Sequence, residues 1–425
     1  MPFAYSSDRL FCEEVPLRSL AEQFGTPLYV YSRQAIVENC RSLDEAFGHV
    51  PHFISYAVKA NNNPHILTVI AEQGLGADAG SKGELFLALH AGFPASSVSF
   101  SGVGKRDDEI AYALENGIRA FSIESDEELD RLATLAERSG TTANILLRVN
   151  LDIDSGTHDY ISTSRRHDKF GISARNAAQV LKRAQQCSRI TIRGIHSHLG
   201  SQITNVESFV VAAQALRALV DDLRSQHIPV DEIDFGGGFG IQYHGVLVHP
   251  QLPYEKPEAK RISPASVVRT VLPLLQESGC RISIQPGRSI VGDAGVLLTR
   301  VLYRKETDEK TFVIVDAGMN DLIRPSLYQA HHQIVPVELR NARFENVDVV
   351  GPCCESGDFF AHERALPHVE RDDVLALLCA GAYGFALSSN YNARLRPAEV
   401  LVDGSTVVLI RERERLESFI QGRSI

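Results

Sequence analysis

HFISYAVKAN, residues 52–61, is the stretch on which the reading of this chain turns. It opens as a β-branched and aromatic run, the pattern of a buried strand. It ends on Lys59, followed by Ala60, three asparagines and Pro64. An ammonium at the end of an apolar strand must be solvated, paired or made neutral. A neutral lysine is a nucleophile that forms a Schiff base with a carbonyl. Taken alone, a lysine reaching water is the simpler account, so the neighbouring sequence has to decide.

Outward from this stretch the chain alternates. Strands are expected at 53–58, 75–79, 97–101, 119–123, 144–149, 191–197, 232–235 and 281–285, with helical segments at 64–73, 82–91, 107–116, 125–138, 175–186, 206–226 and 264–279 between them. A further helical segment, 33–47, precedes the first strand. Such alternation implies parallel strands with right-handed crossovers. Eight units in roughly 250 residues is the size of a (β/α)8 barrel of the TIM type. A doubly wound open sheet fits less well, because the unusual residues follow nearly every strand: Lys59, Asp78, Gly102, Glu124, Arg148, His198, Gly236–Gly238 and Arg288. In a barrel they converge on one mouth. After about residue 292 short strand-like segments take over, at 294–303, 311–316, 334–340, 347–350, 374–378 and 399–410. The expected organisation is an α/β barrel over 36–292 and an all-β domain over 293–425. The N-terminal segment 1–35 is expected to join the β domain through TPLYVYS at 26–32.

The bulk properties narrow the function. The 425 residues are 44% hydrophobic and 23% charged, which is globular composition with room for a large core. A net charge of −10 argues against nucleic acid or an anionic membrane as the main partner. MPFAYSSDRLFCEE has no basic and apolar stretch of a signal peptide, and seven cysteines without a CxxC pair suit a reduced, cytoplasmic protein. The longest apolar run, Val374 to Leu387, is too short to span a bilayer.

Several groups carry chemistry. GGGFG at 236–240 follows the seventh strand, where exposed backbone N–H groups are expected to cradle an oxyanion, and loops after strands seven and eight of such barrels often hold a phosphate. A flexible turn is the rival reading. His198 and Ser201, in HSHLGSQ, fall at the end of the sixth strand, where an imidazole can stack on a flat cofactor. His196 lies two residues before His198, on the same face, but lacks a companion carboxylate, so no metal is expected. CCESGD at 353–358 is either a polar turn with a buried cysteine or a proton donor, Cys354, beside a cation-binding carboxylate, Glu355. In NDLIRPSLY, Arg324 and Tyr328 suit carboxylate recognition. Tyr383 is a core aromatic or a phosphate ligand, and His331 and His332 read as surface residues. Lysine, glycine cradle and stacking histidine together suggest pyridoxal phosphate, with the lysine forming an imine. A Schiff-base aldolase without a cofactor would not need all three.

The chain resembles diaminopimelate decarboxylases, within the alanine-racemase-like (fold type III) pyridoxal phosphate enzymes. The matching pieces are YAVKAN (56–61), HDKFGI (167–172), HSHLGSQ (196–202), DFGGGFG (234–240), PGRSIV (286–291), DAGMNDLIRPSLY (316–328), CESGDF (354–359) and GAYGF (381–385). The resemblance implies that Lys59 holds the cofactor and His198 stacks on its ring. Ser201, Gly236, Gly237, Gly238 and Tyr383 would surround the phosphate, with Gln285, Pro286, Gly287 and Arg288 also against the cofactor. Arg288, Arg324, Tyr328, Glu355 and Tyr383 would bind the amino-acid substrate, meso-diaminopimelate, through its distal end. Cys354 would protonate the carbanion after carbon dioxide leaves. It further implies a homodimer in which Cys354 and Glu355 serve the partner's site. A related decarboxylase for another basic or dicarboxylic amino acid, and a silent relative, are the alternatives. One position departs from the family pattern, which has glutamate where this chain has Gln285. A neutral amide gives a protonated ring nitrogen no ionic partner, so slower carbanion formation is expected, and Gln285→Glu is expected to raise the rate.

Overall fold

The computed structural model describes residues 2–153, 168–257 and 263–422. Two compact units divide the chain: Asn39–Ile241 with Ile262–Ile290, and Met1–Glu38 with Gln242–Arg261 and Val291–Ile425.

The first unit is a closed barrel of eight parallel strands: β1 His52–Ala57, β2 Gly76–Ala79, β3 Val98–Phe100, β4 Ala120–Ile123, β5 Ala143–Asn150, β6 Ile190–His196, β7 Glu232–Asp234 and β8 Arg281–Ile284. Neighbours pair in chain order, and β8 pairs back onto β1 to close the ring. Helices cover the outside because one face of each strand is apolar. Ile54, Tyr56, Phe121, Ile145, Leu147, Ile195, Ile233, Ile282 and Ile284 are all buried. The other face is polar. Ser122 meets His196 Nδ1 at 2.7 Å although β4 and β6 are not neighbours, and Arg119 reaches Glu232 at the start of β7. Barrel interiors are usually filled by branched aliphatics; here hydrogen bonds and ion pairs satisfy the buried groups instead, as burial demands. Gly194 lies at an irregularity in β6, and the position requires glycine because a Cβ there would sit 1.8 Å from Glu232 O.

Helix ends follow local chemistry. Pro64 opens the helix Pro64–Ala71 behind an Asn63 cap, and Ser81 and Ser125 cap the helices Lys82–His90 and Asp126–Ser139.

The second unit is built on the long strand Gly295–Glu306, which pairs with Leu28–Ser32, Thr311–Val315 and Val374–Leu377. Leu28–Ser32 is wholly buried and pairs on its other side with Ala398–Asp403, so the N-terminal segment is part of this sheet. Its tyrosines are satisfied: Tyr29 donates to Asp321 O at 2.6 Å and Tyr31 to Glu399 Oε1 at 2.6 Å. Three features differ from the sequence reading. Residues 399–410 are two strands, Ala398–Asp403 and Thr406–Arg411, hinged at Gly404, whose φ is +59°. Phe359–Pro367 is a nine-residue strand that the charged run His362–Arg364 disguised. Residues 242–257 belong with this unit, tied by Gln333, which bonds Leu247 N at 2.8 Å and Leu247 O at 2.9 Å.

Candidate active site

Lys59 sits one step beyond β1, in a single 3₁₀ turn, Val58–Ala60. Val58 and Ala60 are buried while Lys59 is exposed, so the turn anchors the backbone and frees the amine. Asp78, at the end of β2, faces it electrostatically. Burial raises the Asp78 carboxyl; the Lys59 charge and the hydroxyl of Ser101, 2.5 Å away, pull it back down.

The β6 and β7 ends interlock. Gly236 and Gly238 have φ of +69° and +89°. A Cβ at Gly236, Gly237 or Gly238 would come within 2.4, 2.1 and 2.4 Å of Ser197 O, Gln285 O and Gly200 O. Close packing alone therefore requires all three glycines. Their N–H groups are not equally available. Gly236 donates to Asp234 Oδ1 at 2.9 Å and Gly237 to His198 Nδ1 at 3.0 Å, whereas Gly238 donates to no partner among the described residues.

The Gly237 bond also fixes the tautomer of His198. Nδ1 accepts, so in the neutral ring Nε2 carries the proton. Burial first, then the Lys59 and Arg148 charges, hold this imidazole well below its usual pKa. A neutral, flat ring at a barrel mouth suits stacking. His196 is likewise buried and held well below its usual pKa, chiefly by burial, with its Nδ1 spent on Ser122.

Beyond β8, Gln285, Pro286, Gly287 and Arg288 are buried. Pro286 O accepts from Ala57 N at 2.9 Å, which ties this loop to the Lys59 turn. Arg288 donates to Ser201 Oγ at 2.9 Å. The Gln285 amide donates through Nε2 to Asp234 Oδ2 at 2.9 Å. Burial, with Glu232 close by, pushes the Asp234 carboxyl up to about 7 against the pull of the Gly236 N–H.

Two polar residues of this mouth have roles that sequence reasoning missed, although both were visible as odd strand-end residues. Glu124 pairs with Arg148 at 2.9 Å and accepts from Gly102 N at 3.2 Å and Gly171 N at 3.1 Å, gathering three loops. The Arg148 guanidinium lies 4.6 Å from the Phe170 ring centre. In HDKFGI, His167 lies outside the described residues.

In the β unit, Arg324 opens the short helix Arg324–Tyr328 and is 4% exposed. It donates to His332 Nε2 at 2.7 Å and lies 4.7 Å from the Tyr243 ring centre. His332 Nδ1 donates to Leu378 O at 2.7 Å, so the ring is neutral, with Nε2 as acceptor. His332 is 0% exposed, which corrects its reading as a surface residue. His331 is half-buried too. It takes a hydrogen bond from Arg364 on Nδ1 at 2.8 Å and gives one to Glu255 from Nε2 at 3.0 Å. His244, Glu255 and His331 bring ligand-type atoms within 4.8 Å, a grouping that sequence spacing concealed. With Arg364 on Nδ1, however, the His331 proton occupies the Nε2 lone pair a metal would need.

The CESGD turn is held by Asp358, which is 4% exposed and accepts from Met319 N and Cys353 N, both at 2.6 Å. Cys354 and Glu355 are exposed, and the Glu355 carboxylate reaches Tyr391 Oη at 3.3 Å. The half-buried cysteine of the turn is Cys353, its thiol pushed up to about 11 by burial. Tyr328 is half-buried. Tyr383 is half-buried with φ of +56°, a backbone state uncommon for an aromatic residue and found where surroundings impose it. Thus the barrel unit brings together Lys59, His198, Ser201, the glycines, Gln285 and Arg288, and the β unit carries Arg324, Tyr328, Cys354, Glu355 and Tyr383.

Comparison with known proteins agrees with this chemistry. Residues 33–292 match the pyridoxal binding domain of pyridoxal-dependent decarboxylases. A diaminopimelate decarboxylase of Pseudomonas aeruginosa is 44% identical over 100% of this chain and 99% of its own, and one of Aquifex aeolicus is 43% identical over 98% and 96%. The crystal structure of diaminopimelate decarboxylase from M. jannaschii in complex with L-lysine superposes with a TM-score of 0.92 at 34% identity, covering 100% of this chain and 98% of that one. A primary amine, a neutral ring and a side-chain-free backbone cradle are what pyridoxal phosphate needs, and the chain belongs to the diaminopimelate decarboxylase family of pyridoxal-dependent enzymes.

Proposed function

We propose that this protein is a carboxy-lyase that converts meso-2,6-diaminopimelate to L-lysine and carbon dioxide, the last step of lysine biosynthesis, as a cytoplasmic homodimer. The observation that carries the reading is the exposed Lys59 amine beside the neutral His198 and the glycine backbone. The relatives' names and the lysine bound in the M. jannaschii structure supply the substrate.

Lys59 would hold pyridoxal phosphate, with His198 against its ring and Ser201, Gly238 and Tyr383 at its phosphate. Bound there, the cofactor supplies the electron sink for the pair left on Cα when the carboxylate departs. The chain's own residues do the rest. Diaminopimelate carries an ammonium and a carboxylate at its distal end, so recognition needs a cation and an anion. Arg324, with its guanidinium fixed by neutral His332, takes the carboxylate, together with Arg288 and Tyr328. Glu355 takes the ammonium. Ornithine, lacking the distal carboxylate, leaves a buried arginine unanswered, which penalises it. Cys354 gives its proton to Cα after carbon dioxide leaves. Because Cys354 and Glu355 are exposed in a single chain, a second copy is needed to seat them in a water-poor site.

The test is carbon dioxide release by purified protein supplied with pyridoxal phosphate. Release from meso-diaminopimelate with lysine as product, and none from L-lysine, L-ornithine or L-arginine, supports the reading. Release from ornithine or arginine at a comparable rate overturns the substrate assignment, and no release from any of the four overturns the activity.

A further inference from the structure

Gln285 stands where the family pattern has an acid, and its surroundings are specific. Its backbone N–H donates to Gly236 O at 2.8 Å, and its side-chain Nε2 donates to Asp234 Oδ2 at 2.9 Å. Asp234 is 0% exposed, and Gln285 is 7% exposed. The second carboxylate oxygen, Oδ1, is taken by Gly236 N–H. Asp234 closes β7, pairing with Ser283, and Gln285 lies two residues farther toward the mouth. At pH 8, above its raised pKa, the Asp234 carboxyl is ionised and only accepts hydrogen bonds. An amide beside it must therefore present its NH2 group, and the carbonyl Oε1 becomes the end turned away from Asp234. Oε1 takes no hydrogen bond among the described residues. The charged groups around Asp234 on adjoining elements are Glu232, Arg119 and Asp78.

We propose that Asp234 is a positioning residue that locks the Gln285 amide with its carbonyl oxygen toward the ring nitrogen of bound pyridoxal phosphate, so that this chain retains a protonated ring nitrogen with a neutral acceptor. The inference rests on the cofactor seating at Lys59. It changes the meaning of glutamine at position 285: the ionic partner is gone, but the direction of the hydrogen bond is kept, because a carboxylate one layer deeper dictates it.

The geometry makes Asp234→Asn informative. Its Oδ1 remains pinned by Gly236 N–H, so its new NH2 group occupies the Oδ2 position. Two NH2 groups cannot face each other, and Gln285 turns over, offering NH2 to the ring nitrogen. That donor suits a bare nitrogen and opposes a protonated one. In Asp234→Asn combined with Gln285→Glu, the glutamate accepts from the new amide at position 234 and from the ring N–H, restoring the original polarity.

The experiment uses the full-length enzyme loaded with pyridoxal phosphate labelled with 15N in the ring, at pH 8. Borohydride reduction followed by mass spectrometry first checks for the adduct on Lys59. Its absence overturns the cofactor seating, and the proposal with it. With the adduct present, the expected 15N resonance is at the protonated position in the unaltered enzyme, at the unprotonated position in Asp234→Asn, and back at the protonated position in the double variant. An unprotonated resonance in the unaltered enzyme overturns the proposal even if Asp234→Asn does not fold. An Asp234→Asn resonance unchanged from the protonated position also overturns it, since a merely structural aspartate would leave the ring nitrogen unmoved.

Discussion

The mouth of the barrel and the Cys354–Asp358 turn of the β unit present their functional side chains in opposite ways. At the mouth the polar groups around the exposed Lys59 amine are held by others: Gln285 by Asp234, Arg148 by Glu124, His198 by Gly237, Ser201 by Arg288. At the turn the backbone is held through buried Asp358, while Cys354 and Glu355 stand exposed, the Glu355 carboxylate meeting, among the described residues, only long hydrogen bonds from Tyr391 Oη and Gly357 N, both at 3.3 Å. The difference is that between side chains locked by their neighbours and side chains left exposed on a fixed backbone. Orientation within a fraction of an ångström needs rotamers locked by neighbours. The barrel supplies that locking within one chain; in the proposed homodimer the partner's surface would supply it to the turn.

The largest expected effect comes from the mouth. Lys59→Ala removes the covalent attachment; decarboxylation falls below detection and no borohydride-stable cofactor remains on the protein. Cys354→Ala is expected to keep the cofactor and lose turnover. Mixing the two inactive variants tests the division between the regions. If the turn completes the partner's site, heterodimers hold one intact site of two, and random reassortment restores about one quarter of normal activity. No recovery, after subunit exchange is confirmed by differently tagged chains, means that barrel and turn act within one chain.

The same contrast explains what could be read from sequence. The barrel was legible because eight strand-and-helix units repeat one grammar and leave odd residues at strand ends, where Lys59, Asp78, Glu124 and His198 all stood out. Partnership was not legible. Nothing in DFGGGFG shows that two of the three consecutive glycine N–H groups are already spent, or that Asp234 reaches Gln285 across 51 positions. His332 misled for a related reason. A histidine beside another in a polar stretch reads as surface, and only folding brings Arg324 and Leu378 O to its two nitrogens. Strand Phe359–Pro367 was missed because its Arg364 is charged yet serves internal acceptors, including His332 O at 2.8 Å.

A smaller effect is expected at His332, which gives the β unit its own buried instance of mouth-like locking. His332→Leu removes the acceptor for Arg324 and should raise KM for meso-diaminopimelate roughly tenfold, the cost of one hydrogen bond to a charged group, with little change in kcat. His332→Gln, which keeps an acceptor, should recover part of the loss. An unchanged KM in His332→Leu would remove the argument that Arg324 needs this support.

The smallest effect concerns stability. Asp321 is buried in the NDLIRPSLY loop, accepting from Gly318 N at 2.8 Å and Asn320 Nδ2 at 3.0 Å, and burial pushes its carboxyl up to about 7. Because the folded pKa lies above the unfolded value of roughly 4, the folded state binds the extra proton; the associated stability is complete below about pH 4 and is lost as pH rises through about 7. Asp321→Asn abolishes that titration. It also surrenders one acceptor, because the amide offers an NH2 group to one of its two donors, a cost of about 1 kcal/mol at every pH. The two contributions separate in a plot of melting temperature against pH. The variant should melt lower than the unaltered protein at pH 4, and the order should reverse above about pH 5 and stay reversed at pH 8, as the unaltered protein loses stability and the variant does not. Parallel curves would mean that Asp321 ionises in the folded protein as it does in the unfolded one, and that burial in this loop does not carry the carboxylate as far as burial in the barrel carries Asp234.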